Sequence, residues 1–174
     1  MKHIAIVALM FNLGVAGVYA QGQPVKMTFS GTNVATMMNL QPNTATDEQH
    51  SAGNGTFGAF TFRELHADGP VPQPPSGCSG PSFGVLAGGG VFRFQDGSLL
   101  IVTIKDGSGC VNLVAFNVAL SVNYQITGGT GRFEGASGAL TYTATMTPVL
   151  FDASNAPALL TLTGEIKGTV SERP

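Results

Sequence analysis

Residues Tyr124–Tyr142, YQITGGTGRFEGASGALTY, constrain the fold more than any other stretch of the chain. They read as a strand, a glycine-packed turn and a returning strand. Gly128, Gly129 and Gly131 crowd a short segment with Thr130 and Arg132, a tight backbone that residues with larger side chains disfavour. Phe133 follows, and Gly135 and Gly138 carry the small-residue pattern into the next strand. A hairpin of this kind belongs to an antiparallel sheet, and it offers no catalytic group.

The rest of the chain extends that signal. Period-two alternation recurs, while helical periodicity is nearly absent beyond the N-terminal segment. Val25, Met27 and Phe29 alternate with Lys26, Thr28 and Ser30. A polar loop is expected over 39–54, a strand over 55–66, and a Pro/Gly linker over 68–81 that no central strand or helix tolerates. Strands over 83–94 and 98–105 flank Gln95-Asp96-Gly97, a strong hairpin signal. A second turn over 106–109 then precedes a long strand, 111–126, in which Phe116, Val118, Leu120, Val122, Tyr124 and Ile126 take one face. The last two strands carry Thr141, Thr143, Thr145 and Thr147, then Leu160, Leu162, Ile166 and Val170. Seven strands result, or eight if a long one breaks. The class is all-β, an antiparallel closed barrel of about eight strands or a sandwich; the long threonine faces favour closure, which hides edges.

Charged residues form only 10% of the chain and Gly numbers 24, a β-type composition; 43% hydrophobic content argues against disorder. Lys2, an apolar run over 4–18 and Val18-Tyr19-Ala20 together spell a signal peptide, 1–20. Residues 21–174 then form a single barrel domain, secreted or, in a Gram-negative host, periplasmic. Loss of Lys2 leaves seven basic against ten acidic side chains, net −3, which excludes nucleic acid and anionic membrane as partners. No later segment is apolar enough for a membrane span. Cys78 and Cys110, in Gly/Ser-rich surroundings, are most simply one disulfide in an exported chain; free thiols or an intermolecular link are the alternatives.

The segment GGTGRFEGASG, 128–138, resembles the glycine-rich hairpin shared by the allene oxide cyclase and dirigent-like barrels, and GTFGAFTF, 55–62, resembles an early strand of such proteins. That resemblance covers about two-thirds of the chain beyond the leader and implies an eight-stranded barrel, with a homo-oligomer, a trimer by family habit. Its glycines shape a turn, so it transfers fold and not function. The family's catalytic residues lie outside the hairpin, and none is carried over. The Pro-rich insert and the cysteine pair depart from the plant members.

Several motifs fail on inspection. GGTGR lacks the Lys-Ser/Thr and the helix of a phosphate loop, and Gly129–Gly135 has neither the spacing nor the helix of a dinucleotide fingerprint. The segment 135–139 misses the last glycine of a nucleophile elbow. Candidate chemistry rests instead on Glu64 and His66, which share a strand face with Phe60 and Phe62. Facing inward they form an acid/base pair, burial raising one pKa and lowering the other; at a strand end they are solvated groups beside a turn. Asp47 and His50 could share a metal with His66 across the mouth, although a polar surface loop explains them equally, so no metal or cofactor is expected. Arg132 and Glu134 read as turn residues. Tyr124 and Tyr142 are expected to stack across the hairpin, with a phenol aimed at a ligand as the alternative. Asn54-Gly55-Thr56 is a glycosylation sequon in a eukaryotic host only.

Three functional readings follow. The barrel binds a small apolar molecule inside, lined by Phe60, Phe62, Tyr124 and Tyr142. It is a cofactor-free cyclase or isomerase of the allene oxide cyclase or dirigent type. Or it is a filled, non-catalytic extracellular module. Gly88–Gly90 and 136–139 hint at interior space, which favours the first two.

Overall fold

A computed structural model describes residues 22–71 and 73–171. The leader, with its cleavage site after Ala20, lies outside the described residues. Eight strands run in chain order: β1 Gln23–Thr36, β2 Ala45–Gly55, β3 Phe60–Gly69, β4 Ser82–Phe94, β5 Leu99–Asn112, β6 Asn117–Thr130, β7 Ser137–Phe151 and β8 Pro157–Ser171. Each pairs antiparallel with its chain neighbour, and β1 pairs with β8, so the sheet closes on itself. The all-β closed barrel is therefore correct. No described helix is long and apolar enough to cross a membrane.

In such an up-and-down barrel, the loops after odd-numbered strands all emerge at one end. At the opposite end the glycine-rich hairpin closes the floor. There a short 3-10 turn, Gly131–Phe133, reverses the chain between β6 and β7. Gly131 (φ 62°) and Gly135 (φ 70°) hold left-handed conformations that other residues avoid. The reversal drives Phe133, fully buried, up into the barrel against Phe57 and Phe94. Arg132 seals it from outside, its guanidinium 4.9 Å from the Phe94 and Phe133 rings. Its Nη2 donates to the Phe57 carbonyl at 2.7 Å and its Nε lies 3.4 Å from Asp96 Oδ2. Arg132 is thus structural, as its place in the turn implied.

Three sequence expectations change. The eighth strand comes from a segment read as loop: β2 crosses the wall with Asp47, Gln49 and Ser51 at alternate positions, so no apolar rhythm marks it. Gly55–Gly58 is correspondingly the β2–β3 turn, and β3 begins only at Phe60. The second turn sits later than expected. Residues 106–109 continue β5 past a register shift between Ile104 and Asp106, and the chain reverses at 113–116. Phe116 is therefore exposed, at positive φ (51°), rather than on the inner face. Cys110 lies within β5, and the Cys78–Cys110 disulfide (Cα–Cα 5.7 Å) straps the 70–81 loop onto that strand.

The interior is layered. Above the Phe57–Phe94–Phe133 floor, Phe62 stacks on Phe92 (4.1 Å) and Phe29 on Tyr142 (4.4 Å). Here the glycines do not open space; they accept rings. A Cβ on Gly90 would stand 2.5 Å from the Phe62 ring, and one on Gly164 2.6 Å from that of Phe29. Gly138 likewise lies against the β8 backbone. The expectation of a void at Gly88–Gly90 or 136–139 is not met.

Candidate functional site

The inner wall changes character towards the end opposite the glycine-rich hairpin. Cross-strand register sets Gln49 opposite Glu64 and Asp47 opposite His66, while Asn33 on β1 stands opposite Gln49. Side chains on one face alternate along a strand, so these residues point into the barrel together. On the β4 side Glu64 and His66 face Gly90 and Gly88, where no side chain competes for room. β3 keeps both its partners past a register shift between Ala67 and Asp68, and Asp68, two positions along the same face, lies beside His66. Bulges often re-aim side chains next to sites.

Glu64 (4% exposed) and His66 (2%) are both inside, with Phe60 and Phe62 below them on the same face. The solvated alternative for the pair is therefore wrong. The Tyr124 hydroxyl donates to Glu64 Oε2 at 2.8 Å. Glu64 Oε1 lies 3.7 Å from His66 Nδ1, whereas His66 Nε2 lies 3.5 Å from Asp68 Oδ2 and 3.9 Å from Asp47 Oδ2. Asn33 Nδ2 donates to Asp47 Oδ2 at 3.0 Å. Tyr124 and Tyr142 meet edge to face at 6.2 Å rather than stacking, because the register sets Leu140 and Val122 opposite them. Tyr142 stacks on Phe29 instead. His50 faces outward and pairs with Glu48, which also holds Arg63, so it takes no part in the cluster.

Burial raises the Glu64 carboxyl above the usual range, against the opposing pull of His66 and the Tyr124 hydroxyl. Asp47 is raised for the same first reason, with Asn33 and His66 acting against it. Burial alone would depress the His66 imidazole. The adjacent Asp68 carboxylate and the charges of Glu64 and Asp47 outweigh it and carry His66 up to about 9. The expectation that burial lowers this histidine fails because three carboxylates surround it. Burial also pushes both interior phenols well above the ordinary tyrosine range, and Glu64 adds to the effect on each.

Many of these groups lack a hydrogen-bond partner within the protein. They include both amide atoms of Gln49, Asn33 Oδ1, Ser51 Oγ, Glu64 Oε1, His66 Nδ1, Asp68 Oδ1 and the Tyr142 hydroxyl. Native interiors rarely leave buried polar atoms bare, and here eight are gathered on one wall and the layer beneath it. Opposite stand apolar groups at the same height: Val118, Leu120, Met146, Leu160 and Leu162. The mouth itself is ringed by exposed Met37, Met38, Val114 and Phe116, from the loops after β1 and β5, and by Leu150 and Phe151 at the end of β7.

Sequence reasoning singled out Asp47, Glu64, His66 and the four aromatic residues, the last six of which are buried inside the barrel, and passed over Gln49, Ser51, Asn33 and Asp68. A strand with polar residues at alternate positions is the signal that would have found most of these. A groove of about 500 Å³ lies on the outer wall between the strapped loop and Thr143, Thr145 and Thr163. Hydroxyl groups line it, and it holds no titratable side chain. Comparison with family models, with curated proteins and with solved structures finds no match to this chain.

Proposed function

We propose that this is an exported barrel protein that binds one small amphiphilic molecule within the barrel, at the end away from the glycine-rich hairpin. The gathering of unpartnered buried polar atoms around Gln49, Glu64 and Tyr142 supports the reading most directly. An unpaired buried donor or acceptor costs about 1–3 kcal/mol, and a ligand carrying a hydroxyl or carbonyl group relieves several at once. The apolar wall of β6–β8 suits the rest of such a ligand, and the apolar rim suits its entry. Filled aromatic layers below limit it to the upper half of the barrel.

One contact favours a catalytic version of the reading, a cofactor-free isomerase or cyclase. Tyr124, Glu64 and His66 form a chain of proton-bearing groups in a buried setting, which suits transfer of a proton to or from a bound ligand. Titration with Nile red, a neutral apolar dye bearing a carbonyl group, tests the binding itself. Saturable one-to-one binding is expected, weakened roughly 5- to 150-fold in Gln49→Leu, the equivalent of about 1–3 kcal/mol. No saturable binding to the folded wild-type protein would return the filled-barrel reading. For catalysis, Glu64→Gln should abolish turnover of a substrate while leaving its affinity nearly unchanged.

A further inference from the structure

We infer that Asp47, His66 and Asp68 hold a divalent transition-metal ion at the mouth of the barrel, with Glu64 bracing the imidazole from behind. One ligand atom from each of the three lies within 4.8 Å of the others. The separations from His66 Nε2, 3.5 and 3.9 Å, are too long for charge-assisted hydrogen bonds, which close to about 2.7–2.9 Å. They are near the spacing that ligand atoms keep when each sits about 2.0–2.2 Å from a shared ion.

The surroundings support the same conclusion. The His66 side chain is 3% exposed, and neither its Nδ1 nor Glu64 Oε1, 3.7 Å away, has a hydrogen-bond partner. A ligating histidine commonly turns its second nitrogen towards a carboxylate, which fixes the ring and the tautomer. Glu64 occupies that place and is itself held by Tyr124. Asn33 fixes Asp47 in turn. The cluster contains three carboxylates and one imidazole, and their ion pairs run to His66 and to no lysine or arginine among the described residues. A divalent cation neutralises that excess of negative charge. Asp47 and Asp68 are 19% and 14% exposed, so the ion has a path in from the mouth.

Imidazole with two carboxylates suits Zn²⁺, Mn²⁺ or Fe²⁺ better than Ca²⁺, which prefers oxygen alone. Three protein ligands leave an open position for water or for an oxygen atom of a bound molecule. Metal binding here does not depend on whether the interior also takes an organic ligand.

Untagged protein, stripped with chelator and checked for a β-type circular dichroism spectrum, is titrated with ZnCl₂ by calorimetry and with CoCl₂ by visible absorption. The expected result is one ion per chain, with cobalt bands of nitrogen/oxygen coordination. Asp47→Asn and Asp68→Asn remove charge with little change of shape, and each should weaken Zn²⁺ by more than about 100-fold. Glu64→Gln should keep the stoichiometry and weaken affinity about 10- to 100-fold, the range for outer partners of a ligand. His50→Ala, on the outer wall, should change nothing. No uptake of either ion by the wild-type protein would overturn the inference, leaving an imidazolium clamped between carboxylates as the content of the site. Uptake that survives both Asp variants, or that vanishes with His50→Ala, would overturn it equally.

Discussion

Gln49 shows how a single residue can work against the stability of the barrel. It is fully buried, opposite Glu64 in the register and beside the Tyr142 hydroxyl, and neither amide atom has a well-formed hydrogen bond within the protein. Leucine has a similar volume and leaves nothing unpaired, so Gln49→Leu should raise the unfolding free energy by about 1–3 kcal/mol in chemical denaturation. A loss of stability instead would mean that Gln49 is a structural group. Substitutions that stabilise a protein while weakening binding are expected where a site is held at the expense of the fold. Gly90 is the opposite case, a residue kept for packing. Gly90→Ala puts a methyl group against the Phe62 ring, which must leave its stack on Phe92. Overpacking of this kind destabilises by about 1–3 kcal/mol, and a stability unchanged from wild type would show that the ring has room to move.

At the level of elements, legibility follows chemistry. β6 and β7 announce themselves because Val122, Tyr124 and Ile126, then Leu140 and Tyr142, are apolar at every second position and bury that face. β2 is longer than β3, yet its inner face is Asp47, Gln49 and Ser51, so periodicity of apolar residues cannot reveal it. The strand that was hidden is the one that carries the candidate site, because the residues that would have marked it are given over to polar groups. Glu64 and His66 were legible because they continue the Phe60–Phe62 row. Asp68 was not, since Asp68-Gly69 has turn composition and reads as the start of the Pro/Gly linker, whereas β3 runs through both residues. The turn after β5 was misplaced for a similar reason: Asp106-Gly107 has hairpin composition but sits at a shift within a continuing strand. The Cys78–Cys110 bond then ties the Pro-rich loop to that same strand, closing a separation of 32 residues. Replacing both cysteines by serine should lower stability by about 3–4 kcal/mol on the chain-entropy account and leave the β spectrum intact. A loss much below about 1 kcal/mol would show that the unfolded chain gains little freedom from the strap.

Taken whole, the molecule is a closed sheet with two unlike ends. One is plugged by Phe57, Phe94 and Phe133 under the Arg132 guanidinium, and the other is polar on the β1–β3 side and flanked by exposed apolar residues. Closure gives every strand two partners, so backbone hydrogen bonding alone would make the strands equally hard to open. Burial breaks that equality. The plugged end excludes water with stacked rings, whereas the opposite end buries polar atoms that gain partners whenever water enters. Stability should therefore be graded along the barrel axis, with local opening easiest where β2 and β3 meet the mouth. Amide hydrogen exchange tests this directly. Amides of β6 and β7 near the glycine-rich hairpin should exchange only through global unfolding, and those around Asp47 and His66 should exchange through openings of much lower free energy. Any ion or small molecule bound at the mouth adds to the stability of the closed state alone, and so should slow exchange chiefly at that end. Uniform protection along the axis would show that the polar wall is as well satisfied as the aromatic floor, and would remove the main physical reason for regarding it as a site.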